Sequence, residues 1–408
     1  MKKILVFSTG ANLPDQNASA LRIASMAQVY VRAGYECIVV GQCKTEPGSF
    51  IRFGPDYRGY SIYDPSVGHG IKEKLGVFLF MKRTIVSALH KVAQDIGGAS
   101  EIAAICIYQQ LSSPATRYIM RYCKRNGIKL FFDIVEFQTI SQQSLFTFFQ
   151  FYLPNWMTVK RFSKKAKTLA ISTYLSNLLN GQKSKAMYVP FFFNMEKANI
   201  DERKSLRLQD GTIELVYAGC PSRGRDSLAN VIKGLACLNE KERAQFHLTI
   251  AGANEEQIKG LGLNEKELKQ SLSHCSYLGT VPHEEALNLI KRAAFTLYMK
   301  PAEKRFSKAG FPTKVSESLM MSTPVIFNLS GDVGVYLQDG QNAIECRNDS
   351  PFAFAEGLRK VLALDQTKYI SMARNAFATA KEKLSIEHFE KPICDFLELE
   401  RNNEESQR

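Results

Sequence analysis

Two stretches in the second half of the chain hold residue types suited to gripping a phosphorylated ligand. In the first, the apolar run Leu215-Val216-Tyr217-Ala218 leads into Gly219-Cys220-Pro221-Ser222-Arg223-Gly224-Arg225-Asp226. A turn of small residues lets backbone N–H groups approach an anion, the following helix start adds its positive end, and two guanidinium groups suit a diphosphate. The plainer alternative is a surface turn with solvated arginines. In the second, Ala309-Gly310-Phe311-Pro312-Thr313-Lys314-Val315-Ser316-Glu317-Ser318-Leu319 precedes Ser322-Thr323-Pro324-Val325-Ile326. Here Gly310 makes a turn that opens a helix, Lys314 lies in the first turn, and Glu317 follows three residues later on the same face. Amide donors at that helix start can hold phosphate oxygens, and a carboxylate can accept two hydrogen bonds from a ribose diol. A surface acid paired with Lys314 is the alternative for Glu317.

The elements that position these residues follow from periodicity. Short apolar runs predict strands over Lys3–Ser8, Cys37–Gly41, Ala103–Tyr108, Ile128–Asp133, Thr168–Ser172 and Met187–Pro190. Between the first two, Ala20, Leu21, Ile23, Ala24, Ala27, Tyr30 and Val31 recur at helical spacing and Gly34 closes the pattern. The second half starts afresh, with strands over Ile213–Ala218, His247–Ala251, Ser276–Leu278, Phe295–Tyr298, Pro324–Phe327 and Ala343–Cys346. Helices are expected over 226–238, 283–292, 313–321, 352–363 and 367–383. Such alternation means parallel sheets covered by helices, here an α/β chain of two doubly wound domains. The expected boundaries are 1–190 for the first domain, 191–210 for a linker, 211–384 for the second domain, and 385–408 for a closing helix with a polar tail. Ligands of such sheets sit beyond the carboxyl ends of the strands, so a cleft between the domains is the expected site.

Composition removes other classes. With 408 residues, 45% hydrophobic and 23% charged, the chain is neither disordered nor collagen-like. No apolar run approaches the roughly 18 residues of a membrane span, and the apolar start at Met1–Phe7 is too short for a secretory signal. A cytoplasmic protein is expected. The nine cysteines include no C-x-x-C pair and the six histidines no H-x-x-x-H spacing, so buried thiols are expected and a metal site is not. The absence of G-x-G-x-x-G after the first strand and of G-x-x-x-x-G-K-[ST] counts against dinucleotide oxidoreductases and P-loop NTPases. Gly10 after the first strand fits a backbone that approaches a ligand closely.

The charge is lopsided. Residues 1–200 carry 25 Lys and Arg against 11 Asp and Glu, whereas 201–408 carry 28 against 29. Such a field concentrates anionic partners, and simple solubility is the alternative. Two segments in this half set aromatics beside cations: 72–91, KEKLGVFLFMKRTIVSALHK, and 145–167, LFTFFQFYLPNWMTVKRFSKKAK. Rings at headgroup level and lysines on lipid phosphates would hold a segment at an anionic membrane surface. Core helices with snorkelling basic ends are the alternative. An RNA-binding reading lacks any motif, so no nucleic-acid partner is expected.

In order, these features resemble the GT-B fold nucleotide-sugar glycosyltransferases of family 4, of the surface-polysaccharide type. The resemblance rests on Gly219 through Arg225, on Tyr277-Leu278-Gly279-Thr280-Val281-Pro282-His283, and on Gly310-Phe311, Lys314, Glu317 and Thr323-Pro324-Val325-Ile326. It implies two Rossmann-like domains facing a central cleft, the donor held by the second, the acceptor by the first, and a last helix within 385–400 returning to the first. Arg225 matches the basic residue that neutralises the diphosphate, and Gly219 the turn before it. Arg223 stands in for a second arginine expected near Cys220. Thr280 and Val281 fall where the backbone meets the base, Gly310 and Phe311 where amides face the sugar and phosphate. Glu317 matches the ribose-binding second glutamate of E-x7-E. The first glutamate is replaced by Ala309. No histidine ends the corresponding first-domain strand, and Asp133 and Glu136 stand there instead. Either could accept or remove the acceptor hydroxyl's proton, or merely cap the next helix.

The implied activity is retaining transfer of a sugar from a nucleoside diphosphate, UDP by family default, to a hydroxyl of a glycan carried on a lipid. The protein would be peripheral on the inner face of the cell membrane, with no metal and no further cofactor. A non-catalytic nucleotide-sugar-binding protein and a UDP-sugar epimerase are the alternatives.

Overall fold

The computed structural model describes residues 1–14, 17–43, 45–55, 57–63, 71–138, 148–195, 198, 205–221, 226–263 and 273–400. The chain forms two compact units, Met1–Pro190 with Ile386–Arg408, and Phe191–Ser385.

The first unit is built on an eight-stranded sheet in the order β3-β4-β2-β1-β5-β6-β7-β8. Its strands are β1 (Lys3–Asn12), β2 (Glu36–Gln42), β3 (Phe50–Phe53), β4 (Tyr57–Tyr63), β5 (Ile102–Tyr108), β6 (Lys129–Ile134), β7 (Lys167–Ala170) and β8 (Lys185–Tyr188). All neighbours run parallel except β3 against β4. Ile4, Leu5, Val6 and Phe7 are all buried, which is why a central parallel strand reads as an unbroken apolar run. The Ala18–Arg32 helix follows β1, and its start is capped by Asn17, whose side chain accepts from Ala20 N. The Ile386–Leu397 helix belongs to this unit, where Arg32 pairs with Glu387 at 2.8 Å.

β3 and β4 lie outside the expected strands. Tyr57-Arg58-Gly59-Tyr60-Ser61-Ile62-Tyr63 has neither an apolar run nor clean alternation. It becomes a strand by pairing with β2. A Cβ on Gly59 would lie 2.6 Å from Cys43 Sγ, so the sheet edge closes tightly there.

The second unit has a six-stranded, wholly parallel sheet in the order β11-β10-β9-β12-β13-β14. The strands are β9 (Ile213–Ala218), β10 (Phe246–Ala251), β11 (Cys275–Gly279), β12 (Phe295–Tyr298), β13 (Val325–Asn328) and β14 (Ala343–Cys346). One face carries a core of Leu215, Tyr217, Leu248, Ile250 and Leu297 against Val231, Leu235, Phe354 and Leu358 from helices Leu228–Ala236 and Pro351–Leu362. Each sheet reverses direction beside its own first strand, β1 and β9, where open α/β sheets take ligands.

Candidate functional site

At the carboxyl end of the second sheet, three glycines end three neighbouring strands. Gly219 follows β9 at φ +147°, Gly252 follows β10 at +112°, and Gly279 closes β11 at +64°. Gly219 N donates to Ala251 O at 2.8 Å and Gly252 N to Gly279 O at 2.7 Å, lacing the strand ends together. A Cβ on Gly252 would stand 2.3 Å from Gly219 O and 3.1 Å from Cys220 N. Only a residue without Cβ allows this approach, so Gly252 sets the path of the turn after β9.

Lys314 meets that turn from the other side. A Cβ on Gly219 would lie 3.2 Å from Lys314 Nζ. The ammonium sits 4.0 Å from the Tyr217 ring centroid and 3.9 Å from Asp226 Oδ1. Tyr217 Oη donates to Asp226 Oδ2 at 2.9 Å, and burial pushes the phenol pKa well up, keeping it a neutral donor. Burial lowers the Lys314 pKa, against the opposing pull of Asp226 and Glu317. A half-buried cation beside the Gly219 turn is well placed to take up an anion.

The Thr313–Met320 helix carries Lys314 and Glu317. Pro312 stands at its N-cap, and no side chain caps its first amides, so its positive end is directed out of the helix. Glu317 is 8% exposed. Its Oε1 lies 2.8 Å from Nε2 of His283, the first residue of helix His283–Arg292. Glu317 therefore pairs with His283, while Lys314 turns to Asp226. Thr280, exposed, and Val281, half-buried, lie between β11 and that second helix. Gly310 N donates to Phe306 O at 3.3 Å, and Phe311 packs edge-on to Tyr336 with centroids 5.3 Å apart. Ala309 is fully enclosed, so a packed methyl occupies the position of the missing glutamate. Arg223 and Arg225, with Ser222 and Gly224, lie outside the described residues.

In the first unit, β1 runs on to Asn12, so Gly10 lies within its last residues rather than after it; Gly10 is exposed, and a Cβ there would meet nothing within 4 Å. Asp133 is 2% exposed and engaged by Arg22, which donates from Nε to Oδ2 at 2.9 Å and from its terminal nitrogen to Oδ1 at 2.7 Å. Burial opposes the Arg22 charge, but Asp133 outweighs it and the guanidinium pKa is raised. Arg22 also donates to Pro190 O at 2.9 Å. Asp133 thus neutralises a buried cation and ties helix Ala18–Arg32 to the end of β6.

Glu136 is half-exposed on a loop held by side chains rather than by a ladder. Gln109, at φ +59°, accepts from Val135 N at 2.8 Å and Glu136 N at 3.0 Å, and donates to Glu136 O at 3.0 Å. Fully buried Asn155 donates to the same carbonyl at 3.0 Å and accepts from Gln138 N at 2.9 Å. The loop is preorganised and presents Glu136 at the carboxyl end of β6.

Of the two basic aromatic segments, the side chains of 72–80 and all of 145–147 lie outside the described residues. In the remainder of the first, Ile85, Leu89 and Val92 are core while Lys82 and Arg83 are exposed. In the second, Pro154, Met157, Val159 and Phe162 are buried, whereas Phe149, Phe151, Arg161, Lys164 and Lys165 are exposed. The described part of the second segment thus has a core face and an outward aromatic and basic face. Among the described residues no helix is long and apolar enough to cross a membrane, and no three His, Cys, Asp or Glu group around a metal position.

Gly252, His283, Tyr217 and Asp226 were not singled out by sequence as site residues. Gly252, in Ala251-Gly252-Ala253 at a strand end, was a readable signal. The pairing of His283 with Glu317, across 34 positions, was not.

Two successive open α/β sheets, parallel except at β3 and each reversing at its first strand, define the GT-B class of fold. Residues 201–381 match the family described as "Glycosyl transferases group 1". Among solved structures, a sucrose-phosphate synthase from Thermosynechococcus elongatus superposes with TM-score 0.72 at 15% identity, covering 98% of both chains. HepE from Anabaena, in complex with UDP and glucose, gives 0.66 at 13% identity over 98% of this chain and 100% of that one. WaaG, a glycosyltransferase involved in lipopolysaccharide biosynthesis, gives 0.66 at 12% over 97% and 99%. No curated protein sequence matches the chain.

Proposed function

We propose that the chain is a retaining glycosyltransferase that moves a sugar from a nucleoside diphosphate, UDP in the first instance, to a hydroxyl of a lipid-linked glycan in surface-polysaccharide synthesis. The observation that carries this reading is the meeting of the Gly219–Gly252 turn, Lys314, an uncapped helix start and the Glu317–His283 pair at one sheet end. The group 1 match over that unit and the UDP named in the HepE structure support it.

The bond between sugar C1 and the β-phosphate oxygen breaks, with its electron pair leaving on the diphosphate. Lys314, the amides of the Thr313–Met320 helix, and Arg223 and Arg225 take up that charge, a contribution worth on the order of 100-fold per donor. The acceptor oxygen bonds to C1 on the face the diphosphate leaves, and its proton goes to Glu136. Asp133, buried and already engaged by Arg22, is the less accessible of the two. Thr280, Val281, Gly310 and Phe311 contact the base, sugar and phosphate, and the backbone at Gly10 approaches the donor. In this scheme the protein's own cations neutralise the diphosphate, so excess EDTA leaves transfer unchanged; abolished transfer would overturn that part. The acceptor's lipid phosphate and the inner membrane face are met by Phe149, Phe151, Arg161, Lys164 and Lys165.

The test is thermal stabilisation by a panel of nucleoside diphosphates and their sugars, in wild type and Glu317→Ala. A ligand at ~100 times its Kd adds ~2.7 kcal/mol. A shift with one nucleotide, lost in the variant, is expected. A shift without transfer to any acceptor would favour the non-catalytic reading that Ala309 motivates, and no shift at all would overturn the donor assignment.

A further inference from the structure

We propose that His283 is a positioning residue that makes this site prefer a ribose to a 2′-deoxyribose nucleotide. The inference rests on reading the second unit as a nucleoside-diphosphate site. Glu317 is almost enclosed, so the direction of its carboxylate decides whether it can serve a ligand at all. His283 Nε2 holds Oε1 at 2.8 Å and, among the described residues, is the only hydrogen-bond partner of that carboxylate. A carboxylate offers about four lone-pair sites. Engaging one of them from the side fixes the plane of the group and leaves Oε2 as an acceptor.

The two charged side chains of the Thr313–Met320 helix then diverge. Lys314 leans to Asp226 and the glycine turn, and Glu317 to His283. Their backbones are separated by about 4.5 Å along the helix axis. One molecule carrying both an anion and a nearby diol satisfies both, and a nucleoside diphosphate is such a molecule. Without the His283 N–H the carboxylate swings freely, and acceptance of the 2′-hydroxyl loses its geometric advantage.

A purely structural role is the competing account, in which the pair only pins two helices together. The two accounts differ in one readout, the ratio of affinities for ribo and deoxy forms. Calorimetric titration would use UDP, GDP, ADP and CDP, each beside its 2′-deoxy counterpart, against wild type, Glu317→Ala, His283→Phe and His283→Gln. Wild type should prefer the ribo form by about tenfold or more, the span of one hydrogen bond to a charged group. The ratio should fall towards one in Glu317→Ala and His283→Phe and return in part in His283→Gln, whose amide can replace the lost donor. Should His283→Phe not fold, His283→Asn, with its shorter reach, takes its place. A folded variant without the donor that keeps the wild-type ratio overturns the role of His283 while leaving the nucleotide site intact. So does a wild type that binds with no preference. A wild type that binds none of the eight nucleotides overturns the donor reading itself, and this inference with it.

Discussion

Gly252→Ala tests whether the approach of β10 to the turn after β9 shapes the site. The new Cβ would lie 2.3 Å from Gly219 O and 2.5 Å from Gly219 C, both backbone atoms that no rotamer change can move. Gly252 also sits at φ +112°, a conformation that costs a residue with a Cβ about 1–2 kcal/mol. Overpacking adds about 1–3 kcal/mol, for a total of about 2–5 kcal/mol. Gly211→Ala isolates the two terms: it has φ +85°, but its Cβ would meet nothing within 4 Å, so only the backbone cost of about 1–2 kcal/mol applies. Urea unfolding of both variants measures the difference, and in thermal scans each kcal/mol moves Tm by about 2–4 °C. To restore an ordinary 3.4 Å contact, the Gly219–Cys220 backbone must shift by about 1 Å. A misplacement of that size should lower turnover by about 100-fold. If Gly252→Ala is no less stable than Gly211→Ala and binds the diphosphate within twofold of wild type, the contact does not shape the turn and the reasoning fails.

Lys314 gives a pH prediction. Burial lowers its pKa in the folded protein, so between that value and the ordinary 10.5 the unfolded chain holds more protons and stability rises with pH through this window. Diphosphate binding needs the charged form, so affinity should weaken over the same window, and Lys314→Met should remove this dependence along with ~10–100-fold of affinity in titrations at neutral pH. Asp133→Asn and Glu136→Gln should separate fold from chemistry. The first breaks a buried pair and should lose about 3–5 kcal/mol in chemical denaturation, whereas the second should keep its stability and lose turnover. Equal stability losses in both would remove the distinction. Reversing the charges of Lys160, Arg161, Lys164 and Lys165 should release the protein from anionic vesicles in sedimentation; unchanged binding would sink the membrane assignment.

The sequence by itself determined the local elements. Apolar runs placed β1, β2, β5 and β6 and the strands of the second sheet to within a few residues; all of these except the half-exposed edge strand β11 are largely buried, and a strand buried on both faces needs no partner to be read. The helices expected from 283 and from 313 begin at those residues. β3 and β4 were not, since Tyr57–Tyr63 becomes a strand only by pairing with β2. The chemical types at the site, a small-residue turn, a lysine and a carboxylate one helical turn apart, were also readable. Their partners were decided only by the tertiary structure. Asp133 reads as a free acid at a strand end until Arg22, 111 positions earlier, is brought against it. Glu317 reads as a partner for Lys314 until His283 and Asp226 divide the two. Periodicity and turn chemistry act over a few residues, whereas burying a charge demands a counter-charge from wherever the sheet order delivers one. That demand assigns the side chains of this site their tasks.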